Sequence, residues 1–506
     1  MWVFFITIIS QLILSICYTT AMKWWVIRRR LHVSWLISIL CMAILVGVFL
    51  SRYVAPSFFA SGIWLAAATA IVVLTLWRRN LFLIAPLVVA GVLVGLWRGS
   101  VQSIELLTVK QYYGKTITVT GNVREDVDTD TSGNLVIRLD TIKIKNNMLA
   151  GSLWISAKTD TDIKRSDRIT LTGKISEGFG GFVGTMYQAH LQSDIRPQPG
   201  DIALRVRDWF ADSVRQAIPS PQSSLGIGYL VGQKRALPAD LAEALQIAGL
   251  THVVVASGYN LTILVRLARR LFEKVSKYLA ALSASTMIVG FIAITGLSPS
   301  MSRAGLVAGL SLGAWYYGRR FHPLVLLSFA AAITVVINPS YIWGDLGWQL
   351  SFAAFAGVMI LAPLLQRFFF GQKKPGFIRQ ILGETISATV ATAPVLVSSF
   401  GQLSNVAVIA NLMVLPLVPL AMLLTFIAGL GTLVIPSLAT IIGLPATWLL
   451  TYMTGTAQYL SHVPWAVTSI TLPSWAVGLC YLGLTSVCIV LWRITKYDLK
   501  NANIIE

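Results

Sequence analysis

Charge is scarce in this chain of 506 residues: 12% is Asp, Glu, Lys or Arg, against about 25% in soluble domains. Acidic residues are scarcer still, 21 beside 40 basic ones. There are four cysteines, Cys17, Cys41, Cys480 and Cys488, all in apolar segments without metal-ligand spacing. They read as packing residues and say little about redox compartment. No GxxxxGK[ST] loop occurs, no His/Asp cluster of metallohydrolase type, and no credible Ser/His/Asp set. No enzyme active site, cofactor or intrinsic energy source is therefore expected. The first apolar run ends in Lys23 and Arg28–Arg30 with no small-residue cleavage site, so no cleavable signal is expected either.

Apolar residues are what the chain has in plenty: 55% of it is hydrophobic. Runs of about 20 apolar residues recur from end to end, the pattern of a polytopic membrane protein. Segments at 2–22, 33–51, 57–77 and 81–97 come first, with tryptophans near their ends. Placing the basic loops inside predicts an outer N-terminus and an outer location for residues 98 to 200. After that region the segment ending near Val265 is followed by Arg266, Arg269, Arg270, Lys274 and Lys277. Segments at 279–297, 304–318, 323–337, 348–365 and 381–400 then alternate across the membrane. The stretch 404–433 contains Pro416 and Pro419 and is expected to be broken or partly re-entrant. Segments 438–461 and 473–492 complete about 13 crossings, with the basic C-terminus inside.

The net charge of +19 suggests nucleic acid only until it is located. Residues 105 to 196 hold 12 basic and 11 acidic residues, so almost all of the excess lies in membrane loops, as the positive-inside rule requires. This soluble region carries alternating segments at 115–123, 135–144, 151–157 and 167–175, separated by the turn signals DTSGN, KNN and EGFGG. Four or five strands at this spacing predict a small β-barrel, an OB-like fold first among the choices. Its aromatics, Tyr112, Tyr113, Trp154, Phe179, Phe182 and Tyr187, fit either a strand-binding or a partner-contacting barrel. The expected architecture is thus N-terminal membrane helices over 1–98, an extracellular OB-like β-domain over 99–200 and an amphipathic connector over 201–222. A membrane channel domain follows over 223–465, with a last helix and basic tail over 466–506.

Three polar constellations interrupt the apolar segments. GLTHVVVASGYNLTILV, ending at Val265, reads as a membrane helix that carries His252, Ser257, Gly258 and Asn260. Hydrocarbon offers no hydrogen-bond partners, so such groups face protein or a wet cavity. Ser257 taken alone is explained by a bond to its own helix, and His252 equally by a structural role. In TGLSPSMSRAG, Arg303 begins a helix near an outer boundary, where it would hold a phosphate-sized anion or pair with Asp345. In NPSYIWGDLGWQLSF, Asp345 is positioned to cap a helix that then contains Gln349 and Ser351. LGIGYLVGQ at 225–233 is too short to span and is followed by Lys234 and Arg235.

The run from 225 to 262 resembles the competence region of the ComEC family of DNA-uptake channels. The parallels are a glycine-rich short helix, a basic turn, then Gly249-Leu250-Thr251-His252 and the pair Ser257-Gly258. That family usually continues with Leu-His-Val, where this chain has Tyr259-Asn260-Leu261. TGLSPSMSRA, GRR at 318–320, NP at 338–339 and WQLSF at 348–352 are similar to its later motifs, and the β-region matches its extracellular OB-like domain. The resemblance implies an inner-membrane channel that imports single-stranded DNA during natural transformation. Its pathway would involve Lys234, Arg235, His252, Ser257, Gly258, Asn260, Arg303, Asp345, Gln349 and Ser351. Implied partners, besides membrane lipids, are an extracellular DNA receptor and a cytoplasmic helicase-like ATPase. Many members carry a C-terminal metallo-β-lactamase-like domain; this chain ends soon after its last helix, so that activity is expected to be absent or supplied by a separate nuclease. A secondary transporter of a small anion and a membrane scaffold presenting the β-domain are the alternative readings.

Overall fold

A computed structural model describes residues 33–78, 83–129, 133–144, 147–159, 161–233, 237–254, 257–296, 298–318, 322–372 and 375–497. In chain order, α1 (Val33–Leu50), α2 (Gly62–Arg78) and α3 (Ile84–Lys110) lead into five principal strands. These are β1 (Thr116–Val123), β2 (Leu135–Ile144), β3 (Leu153–Ala157), β4 (Arg168–Glu177) and β5 (Gly184–Ile195). Next come α4 (Ile202–Ala217), α5 (Gln222–Val231), α6 (Ala239–Ile247), α7 (Thr251–Val254), α8 (Gly258–Glu273), α9 (Lys277–Thr295) and α10 (Pro299–Tyr316). The remaining helices are α11 (Pro323–Ile337), α12 (Leu346–Phe370), α13 (Phe377–Phe400), α14 (Ala407–Val434), α15 (Ala439–Ser461) and α16 (Ser474–Thr495).

Two compact units share this chain. The first draws on 1–111, 320–401 and 471–506 and so contains α1–α3, α11–α13 and α16. Its closest contact is built from small residues. Gly91, Gly95 and Gly99 repeat at every fourth position along one edge of α3, which lets two backbones meet. A methyl group at Gly95 would lie 2.8 Å from the Cα of Gly47 on α1. Ser38 and Ser328 share a hydroxyl hydrogen bond of 2.9 Å between α1 and α11. Arg98 donates to the carbonyls of Val336 (2.8 Å) and Ile337 (3.0 Å), which the end of α11 leaves without intrahelical donors.

The second unit, 112–319 with 402–470, contains the barrel, α4–α10, α14 and α15. Period-two alternation sends Val119, Ile137, Leu139, Leu153, Ile155, Ile169, Leu171 and Ile175 into the barrel interior, where none exposes more than 1% of its surface. The ring closes in the order β1-β2-β3-β5-β4-β1, with β3 and β5 parallel and every other neighbour antiparallel. Closure removes the edges that an open sheet would leave unpaired. The expected small barrel is present, and its fifth strand extends over a segment that the alternation of the sequence had not marked.

Among the described residues eight helices are long and apolar enough to cross a membrane, and Gly62–Thr75 and Pro323–Ile337 are shorter apolar helices. The protein is a polytopic helical membrane protein with a small barrel. The count of about 13 crossings differs from the eight for identifiable reasons. Segment 2–22 lies outside the described residues, 304–318 falls short of the hydropathy of a plain span, and 248–265 is not one helix. α14 bends as its prolines require, through a short 3₁₀ turn at Leu415–Leu417.

Candidate functional site

The stretch around Ser257 is discontinuous. α6 ends at Gly249, whose φ of +71° suits glycine, and α7 lasts four residues. Ser257 then adopts an extended conformation (φ −117°, ψ 166°), and α8 begins at Gly258. The apolar average over 248–265 conceals this break. Polar groups at such interruptions in membrane helices are where transport pathways place their contacts.

Asn260 fixes the start of α8. It is completely buried, and its Nδ2 donates to the Tyr229 carbonyl of α5 at 3.1 Å. Ser257 Oγ donates to Asn260 Oδ1 at a longer 3.4 Å. α5 itself is buried from Ser223 to Val231, a short helix enclosed on all sides. At 10 residues it is too short to span a membrane, as its sequence at 225–233 predicts. Asn260 is thus a joint between two helices, and its amide is engaged with protein rather than open to a passing ligand. Thr262 donates to the Gly258 carbonyl at 2.7 Å.

Arg303 reaches the same point from the first turn of α10. A methyl group added to Gly258 would stand 3.0 Å from the Ala304 Cβ and 3.4 Å from Arg303 Nη2. The absence of a side chain at 258 is what lets Ala304 of α10 pack here and brings the Arg303 guanidinium alongside. Ser257, Gly258, Asn260 and Arg303 therefore converge. His252 lies on α7 with its side chain exposed, and Lys234 and Arg235 lie outside the described residues.

Asp345, Gln349 and Ser351 belong to the other unit. Asp345 is the N-cap of α12, accepting from the Trp348 amide at 2.7 Å. Gln349 Nε2 donates to the Ile342 carbonyl at 3.4 Å, and Ser351 is half-buried. Trp348 is buried, its Nε1 donating to Thr334 Oγ1 at 2.9 Å. That tryptophan is a packing residue.

Two features escape the sequence. On the barrel, Trp154 of β3, Phe179 and Phe182 of the β4–β5 loop and Tyr187 of β5 form one cluster. Ring centroids are 5.7 Å apart for Trp154–Phe179, 5.4 Å for Trp154–Tyr187 and 5.6 Å for Phe179–Phe182. Phe179 and Tyr187 remain more than half exposed. On the side towards the helices, Arg165 donates to Asp201 (2.9 Å) and to the last-turn carbonyls of α9, Ile294 (3.1 Å) and Ala293 (3.0 Å). Asp201 caps α4 by accepting from the Leu204 amide at 3.0 Å. Partial burial pushes the Asp201 carboxyl up, but the Leu204 amide and the Arg165 charge outweigh it and hold the group below its ordinary range. No spacing rule relates positions 165, 201 and 294.

The family model described as "Competence protein" matches residues 229–494, which is more than half of the chain. The chain belongs to this competence family. Its match begins at Tyr229, the residue whose carbonyl holds Asn260. The chain is also similar to ComE operon protein 3 of Bacillus subtilis (strain 168), with 23% identity over 234 residues. That similarity covers 45% of this chain and 28% of the relative's length. No solved structure is matched significantly. The recognition of a ComEC-type competence protein, reached above from ordered motifs, agrees with these comparisons.

Proposed function

We propose that the protein is an inner-membrane channel that admits one DNA strand from the outer face during natural transformation. The observation that carries this reading is the membership of the competence family, whose match, from Tyr229 onward, takes in the interrupted helix holding Ser257, Gly258 and Asn260, beside Arg303. A guanidinium at a helix break offers a charge-assisted contact to a phosphodiester, and a strand presents one phosphate per nucleotide. Weak, repeated contacts suit passage better than one tight site.

The barrel would lie outside and receive the strand. Its aromatic cluster supports that role, because exposed rings stack on any base without regard to sequence. The N-terminus would be outside and the C-terminus inside. An extracellular DNA receptor would deliver the substrate and a cytoplasmic helicase-like ATPase would pull it. A separate nuclease would remove the other strand. His252, Lys234, Arg235, Gln349 and Ser351 would line or flank the path, while Asn260 and Asp345 would position it.

The test is uptake of fluorescent DNA by a strain lacking the protein. Loss of internalised DNA with surface-bound DNA retained is the expected result. Undiminished internalisation in that strain ends the channel reading.

A further inference from the structure

The helices α8, α9 and α10 carry five basic residues, Arg266, Arg269, Arg270, Lys277 and Arg303, and a single acidic one, Glu273. Their arrangement is ordered. Gly258, Thr262, Arg266, Arg269 and Glu273 follow one another at intervals of four, four, three and four residues, so they share one face of α8. Leu261, Leu264, Val265 and Ala268 occupy the neighbouring face; Leu261, Leu264 and Val265 pack with Ile288, Phe291, Ala304 and Leu312 of α9 and α10. The polar stripe therefore runs beside α10. Its upper end is the contact of Gly258 with Arg303. About 16 Å further along α8, Arg269 lies with its Cζ 5.1 Å from the ring centre of Trp315 near the end of α10. The two helices are thus parallel, with cations along the seam between them.

The lower end of the seam is a compact cluster. Lys277 Nζ lies 5.7 Å from the Trp315 ring and 5.5 Å from that of Tyr316. The Arg269 side chain is only 11% exposed, and its carboxylate neighbour among the described residues, Glu273, stands 3.9 Å away at the edge of an ion-pair distance. Cations interleaved with aromatic faces are the composition that binds single strands, the rings taking bases and the cations taking phosphates. A guanidinium or ammonium resting on a ring is held by the ring quadrupole alone, whereas a phosphate adds full opposite charge and hydrogen-bond acceptors. An arriving phosphate would therefore draw Arg269 and Lys277 off the indole and leave its face open to the base.

We propose that the α8–α10 seam is the phosphate track of the channel and that Trp315, with Arg269 and Lys277, holds one nucleotide at its far end. The base stacks on Trp315 while its phosphate sits between the two cations. This rests on the proposed passage of single-stranded DNA. A lipid headgroup fits less well, because a lipid would favour the exposed cations such as Arg270, whereas the Arg269 side chain is largely enclosed.

The test uses the full chain in phosphatidylcholine nanodiscs with an oligothymidylate carrying 5-iodouracil. Irradiation should cross-link the oligonucleotide to the peptide containing Trp315. Cross-links confined to other peptides overturn the nucleotide station and leave the channel reading intact; no cross-link anywhere counts against both. Abolition of the Trp315 cross-link by added phosphatidylglycerol assigns the cluster to lipid and overturns the proposal. In cells, with membrane abundance matched, Trp315→Phe should keep uptake within twofold of wild type and Trp315→Leu should lower it at least tenfold. Wild-type uptake by Trp315→Leu, which keeps an apolar anchor and loses only the ring, overturns it as well.

Discussion

The barrel and the α8–α10 helices treat positive charge in opposite ways. On the barrel and α4, arginine after arginine lies against carboxylate: Arg138 on Asp128 and Glu125, Arg165 on Asp201, Arg196 on Asp167, Arg207 on Asp126 and Asp208. On α8–α10 five cations share one carboxylate. The barrel region balances its charges, and most of its arginines stand in ion pairs, while α8–α10 carry an excess of one sign. Paired charges hold pieces of the molecule together. An excess of one sign along a seam between two helices is the arrangement that an anionic cargo would complete. The two regions should accordingly fail in different ways when charge is removed, one by loss of the folded protein and the other by loss of uptake.

Arg165→Leu should give the largest effect. It leaves Asp201 and two α9 carbonyls without their donor in a nearly closed site, a loss of about 3 kcal/mol. Thermal melting of the purified protein and proteolysis between the barrel and α4 should both report it, and uptake should fall only in proportion to surviving protein. Asn260→Leu comes next, at about 1–3 kcal/mol, because the Tyr229 carbonyl would be buried without a partner. Its effect should be shared between abundance and uptake, since the joint it forms also sets where α8 begins. Arg303→Gln, compared at matched membrane abundance, should lower DNA internalisation about tenfold. A fall in abundance that accounts for the whole defect would make Arg303 a structural residue like the arginines of the barrel and erase the contrast.

Much of this division is legible in the sequence. Alternation at 115–123, 135–144 and 167–175 marks barrel strands because one face of each must be buried and the other wet. The balance of charge within 105–196 already distinguishes that region from the basic remainder. What escapes is pairing at a distance. Asn260 looks like a pathway residue from sequence, since an amide in an apolar run has no local explanation, and its engagement with Tyr229 depends on where α5 folds. The break before Gly258 is hidden for a related reason: hydropathy averages over 248–265, and two short helices have the same average as one long one. Trp154, Phe179 and Tyr187 look sparse along the chain because barrel closure, which no window of residues records, is what gathers them.

The smallest effect expected is also the one that separates the two regions without a mutation in the membrane. Asp201 titrates below its ordinary 3.8 in the folded protein, so the folded state binds its proton less readily than the unfolded chain does. Its contribution to stability is therefore present in full above 3.8 and is lost as pH falls through the lower, folded value. Proteolytic protection of the segment between the barrel and α4 should be constant from neutrality down to the ordinary 3.8 and decline below it. Asp201→Asn should begin less protected at neutral pH and converge with wild type in acid. Cross-linking at Trp315 should persist through acid that loosens the barrel joint. Parallel loss of both signals would mean that the joint and the seam are one cooperative structure, and the division between charges that hold the fold and charges that meet the cargo would have to be abandoned.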